Sequence, residues 1–421
     1  MKRWISLLLV LLLLLPMGAG ASAQEAGGIQ KGDIVYLGRW NDAPIRWLVL
    51  DPAATNAGGE GLFLLSEQTL TNQGVVYSWS RAVWQGSEGQ LWCSDLLGSS
   101  FTAAEQGAIP AVSKSEEGFQ QYGLNWGPVA LENEQVFFIS AKELGDYIGP
   151  NDGDPGISAS FVGDGKTAYY WLRTPHGSHN DYAGLVIESD QVHDFLVYGS
   201  WAARPATNLG GEGLLYLAAN ERVIGPCELG GMPGADNGEW KATVLDDAIG
   251  LTLEDVSYAD GQLSVRCSGA PEDAWISVLV RDAEGHNVLY GCLGKAGSAQ
   301  EFRFTPQLPE GGSLWLFAEV DKGPGSSNTA SALCPLSWEE TPAPTPEPEP
   351  AAEEAAAAEE QSAPAAEETP APAVPAPQSA SFRRTLWMFG ILFGAFSVAA
   401  VVVAVRQARR NRRYDDEDDW E

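Results

Sequence analysis

The chain has 421 residues, of which 56 are acidic and 25 are Lys or Arg, for a formal net charge of −31. A surface this acidic repels phosphates instead of neutralising them, which excludes nucleic acid as a partner. Outside the terminal segments described next, roughly 315 residues remain to fold, enough for two domains on the usual prior of about 150 residues each.

Residues 1–23 read as a secretory signal peptide. Lys2 and Arg3 precede an unbroken apolar run at 7–15, Pro16 and Gly18 break it, and Ala21-Ser22-Ala23 offers a small-residue cleavage site. At the other end, residues 386–405 form an uncharged apolar run long enough to cross a ~30 Å hydrocarbon core as a helix. Arg406, Arg409, Arg410, Arg412 and Arg413 follow it, which places the tail 406–421 in the cytoplasm. Residues 341–381 are rich in Pro, Ala and Glu and cannot build a core, so they are expected to be a disordered stalk. The expected localisation is the cell membrane, with a single pass and an N-terminal ectodomain outside.

Within the ectodomain, residues 28–237 predict an α+β domain. Strand-like runs at 34–37, 45–50 and 62–66 lead to a helix at about 88–97 ended by Gly98. Thr102 and Glu105 have the spacing of a capping box for a second helix. A strand at 136–140, a short helix at 141–147 and strands at 168–172, 183–187 and 192–197 complete it. Residues 239–340 predict an all-β, immunoglobulin-like sandwich from alternating runs at 262–268, 275–282, 287–291, 301–304, 313–320 and 330–336, with Asp282-Ala283-Glu284-Gly285 as a hairpin turn. Of five cysteines, Cys227, Cys267, Cys292 and Cys334 lie in or around the sandwich, and their pairing is open. Cys93 stands alone, as a buried small side chain or a thiol nucleophile without an identifiable base.

Several runs of the first domain carry a resemblance: Ile45-Arg46-Trp47-Leu48-Val49-Leu50, Leu64-Leu65-Ser66, Val136-Phe137-Phe138-Ile139-Ser140, Trp171-Leu172-Arg173-Thr174-Pro175 and Ala203-Arg204-Pro205-Ala206. Together they resemble a family of unknown function found in secreted and surface proteins of Firmicutes, with a Trp-Leu-Arg-Ser-Pro-Gly motif and a closing Gly-Val-Arg-Pro. The chain departs from that pattern at Thr174, His176 and Ala202-Ala203. The closing pattern is similar to the end of the C-type-lectin-like fold of formylglycine-generating enzymes. The resemblance implies surface location and ligand binding and supplies no catalytic residues.

Trp79, Trp84, Trp126 and Trp201 lie among Ser, Gly, Asn and Gln, as a carbohydrate platform does, although indoles also serve as core. Arg173 and Arg204 each sit beside a strand and a proline, where they either reach ligand or lock the fold through buried carboxylates and carbonyls. His176, His179 and Asp181, with His193 and Asp194 a hairpin away, have spacing suited to zinc; the other reading is a flexible polar loop. The loops Asn151-Asp152-Gly153-Asp154 and Gly163-Asp164-Gly165 offer oxygens to calcium without the EF-hand spacing. No cofactor beyond such a zinc or calcium ion is expected. These features predict a membrane-anchored, non-catalytic binding or adhesion module for a glycan, another cell-envelope ligand or a surface protein. The alternative is an envelope enzyme, a hydrolase or metal-dependent, using the His176/His179/His193 region.

Overall fold

Alternation in the strand Ala43–Asp51 sets the first hairpin. Ile45, Trp47 and Val49 point into the core, while Arg46 and Leu48 lie partly exposed on the other face. The preceding strand, Ile34–Trp40, pairs with it through a two-residue turn in which Asn41 and Asp42 take φ of 49° and 64°. This left-handed pair matches the twist of a hairpin, and Asn and Asp tolerate it well. A bulge near Gly38 (φ 71°) bends the first strand, and a Cβ there would lie 2.7 Å from the Phe101 ring, so only glycine fits.

The computed structural model describes residues 28–53, 61–297 and 301–338, all within one compact unit, Met1–Thr345. Its main sheet has 13 strands. From the hairpin the sheet continues through Leu62–Ser66 and Pro205–Leu209 to the edge strand Val136–Phe138. In the other direction it passes through Glu239–Leu245, the junction of the molecule. Residues 239–241 pair in parallel with 34–36 and residues 243–245 in parallel with 328–330, while the opposite edge pairs with Leu214–Ala219. The sheet then runs through Ser313–Val320, Trp275–Arg281 and Asn287–Lys295 to the edge strand Cys227–Gly231. Main-chain hydrogen bonding is therefore continuous across residues 237–239.

A three-stranded sheet of Thr252–Ala259, Gln262–Ser268 and Glu301–Phe304 covers the C-terminal half of the main sheet. Leu263, Val265 and Phe302 from it share one core with Ile276, Val278, Val280, Leu314 and Leu316, which makes a β-sandwich. The turn at 282–285 joins two of its strands as the sequence predicts, with the Asp282 carboxylate accepting the Glu284 and His286 N–H groups. On the other face, Glu319 is fully buried and accepts hydroxyl bonds from Ser277, Tyr216 and Tyr290. Burial pushes its carboxyl up, against the pull of those three donors.

Among the described residues, three helices lie between the strands of the N-terminal part: α1 (Glu88–Ser100), α2 (Ala103–Gly107) and α3 (Ala141–Tyr147). Helix α1 begins at Ser87, whose hydroxyl accepts the Gln90 N–H, and runs through Gly98 to Ser100 instead of ending there. It turns Gly89, Cys93, Leu96 and Ser100 inward, one face at helical spacing. Thr102 and Glu105 form the predicted capping box of α2, and Ser140 and Glu143 form a second one at α3.

The α+β, C-type-lectin-like architecture expected for residues 28–237 is corrected here. Among the described residues, eighteen strands lie between Ile34 and Gly231, against helices of 13, 5 and 7 residues. Much of the difference comes from residues 112–134, which fold as two hairpins: Val112–Glu116 with Val129–Glu134, and Phe119–Gln121 with Leu124–Trp126. No helix among the described residues is long and apolar enough to cross a membrane. The segment 386–405 read as a span lies outside the described residues, as do residues 1–23, 341–381 and 406–421.

Glu105 caps α2 by accepting the Thr102 N–H at 2.9 Å, and its other oxygen accepts the Gly38 N–H at 3.1 Å. Thr102→Ala is expected to cost about 1 kcal/mol, the usual value of an N-cap. Glu105→Ala should cost roughly 2–3 kcal/mol, because it also strands the buried donor at Gly38. Urea unfolding of both variants checks the order; equal losses would remove the second role of Glu105.

Candidate functional site

The strand Tyr170–Pro175 is buried at every position but its last, so the charge of Arg173 has to be met inside the protein. Arg173 is 1 % exposed and meets two carboxylates, Glu143 from the first turn of α3 and Glu116 from a neighbouring hairpin. It also donates to the Phe138 carbonyl at 2.9 Å. Lys114 pairs with Glu143 from its other oxygen. Burial alone would raise the Glu143 carboxyl, but Arg173 and Lys114 outweigh it and hold it at about 2. For Glu116, burial prevails over Arg173 and the carboxyl is raised. Arg204, also buried, donates to the carbonyls of Ser66 (3.0 Å) and Ile157 (3.1 Å) and to the Tyr170 hydroxyl (3.0 Å). Both arginines considered as ligand contacts are thus buried and bonded inside the fold, with the Nε of Arg173 alone left without a partner.

The four tryptophans do not form one platform. Trp84 is buried against Tyr77 and Phe138, and its indole N–H reaches both Glu134 oxygens at 2.9 Å. Trp126 is buried too and donates to the Gln121 carbonyl at 3.1 Å. Their polar sequence neighbours lie on turns and exposed strand faces, while the rings themselves turn inward. Trp79 stands out alone at 67 % exposure. Trp201 is half-buried and belongs to a surface group that the sequence does not announce: its ring centroid lies 5.5 Å from Tyr169 and 5.3 Å from Phe195, the latter edge-on. Phe195 is 41 % exposed and Tyr198, in the following turn, 52 %. The Tyr169 hydroxyl lies beside the Glu188 carboxylate. Gly199 closes the turn where a Cβ would come within 2.7 Å of the Trp201 indole nitrogen.

The histidine loop is only partly the predicted cluster. His176, His179 and Asp194 bring ligand atoms within 4.8 Å of one another, and the two imidazoles stack at 4.6 Å. His193 and Asp181 are not part of this group. On a strand neighbouring residues face opposite ways, so Asp194 points to the loop and His193 to the other side. His176 Nδ1 accepts the N–H groups of Ser178 and His179, both at 3.1 Å. A neutral ring bonded this way carries its proton on Nε2, so a metal would have to displace that proton or break the turn.

The carboxylates offered to calcium are used locally: Asp154 accepts the Asn151 N–H, Asp152 the Val192 N–H and Asp164 the Lys166 N–H. Cys93 is fully buried, and burial pushes its thiol well up, away from nucleophilic use. A cleft of about 740 Å³, absent from the sequence reading, lies between the 38–42 turn and the 322–329 loop, with Trp40, Arg39 and Lys322 on its walls. Its residues are adjacent only through the pairing of distant strands.

Arg173→Met leaves two buried carboxylates short of a counter-charge and is expected to cost roughly 3–5 kcal/mol in urea unfolding. The pH dependence isolates Glu143. Its folded value lies below the ordinary carboxyl value of 4.5, so its contribution is complete above pH 4.5 and disappears as pH falls towards 2. Glu116, raised, acts with the opposite sign, so the informative quantity is a difference. The stability gap between wild type and Glu143→Gln should shrink as pH falls through that window; a gap constant from pH 7 to 3 would contradict the assignment.

No curated protein matches the chain. Residues 59–211, which hold Arg173, Arg204, the histidine loop and the Tyr169/Phe195/Trp201 group, match the family model described as Domain of unknown function (DUF6273).

Proposed function

We propose that the protein is an exported, surface-displayed binding module without a catalytic role of its own, and that its ligand is a glycan of the cell envelope. The observation that carries this reading is a surface aromatic group in which exposed Phe195 packs with the half-buried rings of Tyr169 and Trp201, beside exposed Tyr198 in the following turn. Aromatic faces stack on the C–H faces of sugar rings, and a few polar groups at the edge fix orientation. Here the Tyr169 hydroxyl and the Glu188 carboxylate supply that polar edge. The net charge of −31 favours an uncharged or cationic glycan over a phosphate-bearing polymer. The sandwich, read as immunoglobulin-like, serves in this picture as a spacer.

Binding of the purified protein to arrays of neutral and anionic glycans and wall fragments tests the proposal. Saturable binding to a neutral glycan is expected, weakened at least tenfold by Trp201→Ala and by Phe195→Ala, with both variants folded by circular dichroism. A folded protein that binds no glycan sinks the reading.

A second reading, a metal-dependent envelope enzyme at the His176/His179/His193 region, draws support from the approach of His176, His179 and Asp194. It requires stoichiometric zinc uptake that is lost in His176→Ala and His179→Ala. Calorimetric titration showing no zinc uptake by the wild type would remove it.

A further inference from the structure

We infer that the exported protein carries two disulfides, Cys227–Cys292 and Cys267–Cys334, with Cys93 left as a lone internal thiol. All five cysteines are present as thiols in the structure. The first pair is set by register. Cys227, on the edge strand Cys227–Gly231, stands directly opposite Cys292 on the antiparallel strand Asn287–Lys295. Directly opposed residues of such strands have Cα atoms about 4.5–5.5 Å apart, inside the roughly 4.4–6.8 Å that a disulfide spans. Cys227 is exposed, and both residues line a cavity of about 480 Å³ that also includes Glu228, Gln262 and Arg303, so an oxidant can reach them.

The second pair is set by the packing of two sheets. Cys267 ends the inward face of Gln262–Ser268, after Leu263 and Val265, and lies in the sandwich core. Cys334 begins the strand Cys334–Leu336 of the opposing sheet and packs on the same core. Its Sγ approaches the carbonyl of Leu251 at 3.8 Å, just before the strand Thr252–Ala259, whose Leu253 is the register partner of Cys267. The Cys334 thiol lies close enough to enter the electrostatic surroundings of Cys267. One bond would clip an edge strand to its sheet, and the other would join the two sheets through their interior. Cys93, in the core of the N-terminal part, has no such counterpart among the described residues.

The chemistry is thiol–disulfide exchange with a disulfide-bearing oxidant, either an extracytoplasmic oxidoreductase or a small disulfide. The thiolate of exposed Cys227 attacks one oxidant sulfur, forms a mixed disulfide and releases the first thiol. The Cys292 thiolate then displaces the second oxidant sulfur. Two electrons pass to the oxidant, which leaves as two thiols carrying the two protons. Burial pushes the Cys292 thiol up to about 11 and raises those of Cys267 and Cys334, so a catalysed or slow reaction suits all three better than spontaneous oxidation.

The inference rests on export, and the test separates the two. The full chain is recovered from the envelope fraction, acid-trapped, unfolded and treated with maleimide before and after reduction. The expected result is one labelled thiol before reduction and five after, with non-reducing peptide maps that join 227 to 292 and 267 to 334. Five labelled thiols before reduction in exported chain, or any bond involving Cys93, would overturn the proposal. If the chain is found inside the cell instead, the purified folded protein is incubated with glutathione disulfide. Formation of the same two bonds upholds the geometry, and other pairings or none defeat it. Cys227→Ser/Cys292→Ser should lower the urea midpoint of the oxidised protein, and reductant should lower the wild-type midpoint at least as far.

Discussion

A single buried cation, Arg173, holds together segments that are distant in the chain. Its strand has no solvent-facing side, so the guanidinium can exist there only if anions and carbonyls are brought to it. Glu143 comes from the start of α3, Glu116 from a hairpin and the Phe138 carbonyl from the edge of the main sheet. With Lys114 the group balances two positive charges against two negative ones. Such a cluster is a weak source of net stability, since apolar residues of equal volume do as well. What it supplies is geometry: a misplaced strand would leave several charges buried without partners. The strand it fixes leads at one end into the histidine loop and at the other into Tyr169, so both surface features are placed by it.

The C-terminal part solves a related problem chiefly with hydroxyls. Glu319 is met by three hydroxyls from Ser277, Tyr216 and Tyr290, while Lys241 on the junction strand pairs with Asp321 at 3.1 Å. Tyr216 reaches across from Leu214–Ala219, so this polar group ties the sandwich to a strand that also borders the N-terminal part. Burial of Leu215, Ala218, Leu279 and Phe317 around it closes the joint to water.

Elements with a strong local pattern could be read from the residues: the alternation of Ile45, Trp47 and Val49, the run at Trp275–Arg281, the box at Thr102 and Glu105. The box at Ser140 and Glu143 has the same spacing and was equally legible. The hairpins within residues 112–134 were not, because Val112–Glu116 buries only its first residue fully and reads as a polar loop. Trp84 and Trp126 misled for the converse reason: their neighbours are polar, yet the direction of an indole depends on strand period and turn geometry, not on local composition. Whether Asp194 or His193 faces the histidine loop turns on a one-residue phase that periodicity fixes only once the strand ends are known. The grouping of Trp201 with Tyr169 and Phe195 depends on tertiary contacts that no local pattern records.

The junction strand has a further consequence for how this molecule can be inherited and recombined. The family likeness stops at residues 59–211, yet Leu62–Ser66 hydrogen-bonds to Ala43–Asp51, which lies before that stretch and brings Trp47 into the same core. Ile34–Trp40 in turn leans on residues 239–241, which lie after it. The stretch that sequence kinship marks out is therefore smaller than the piece that can close its own sheet. Copied alone into another gene, it would arrive with an open strand edge and a core missing one wall, which invites aggregation.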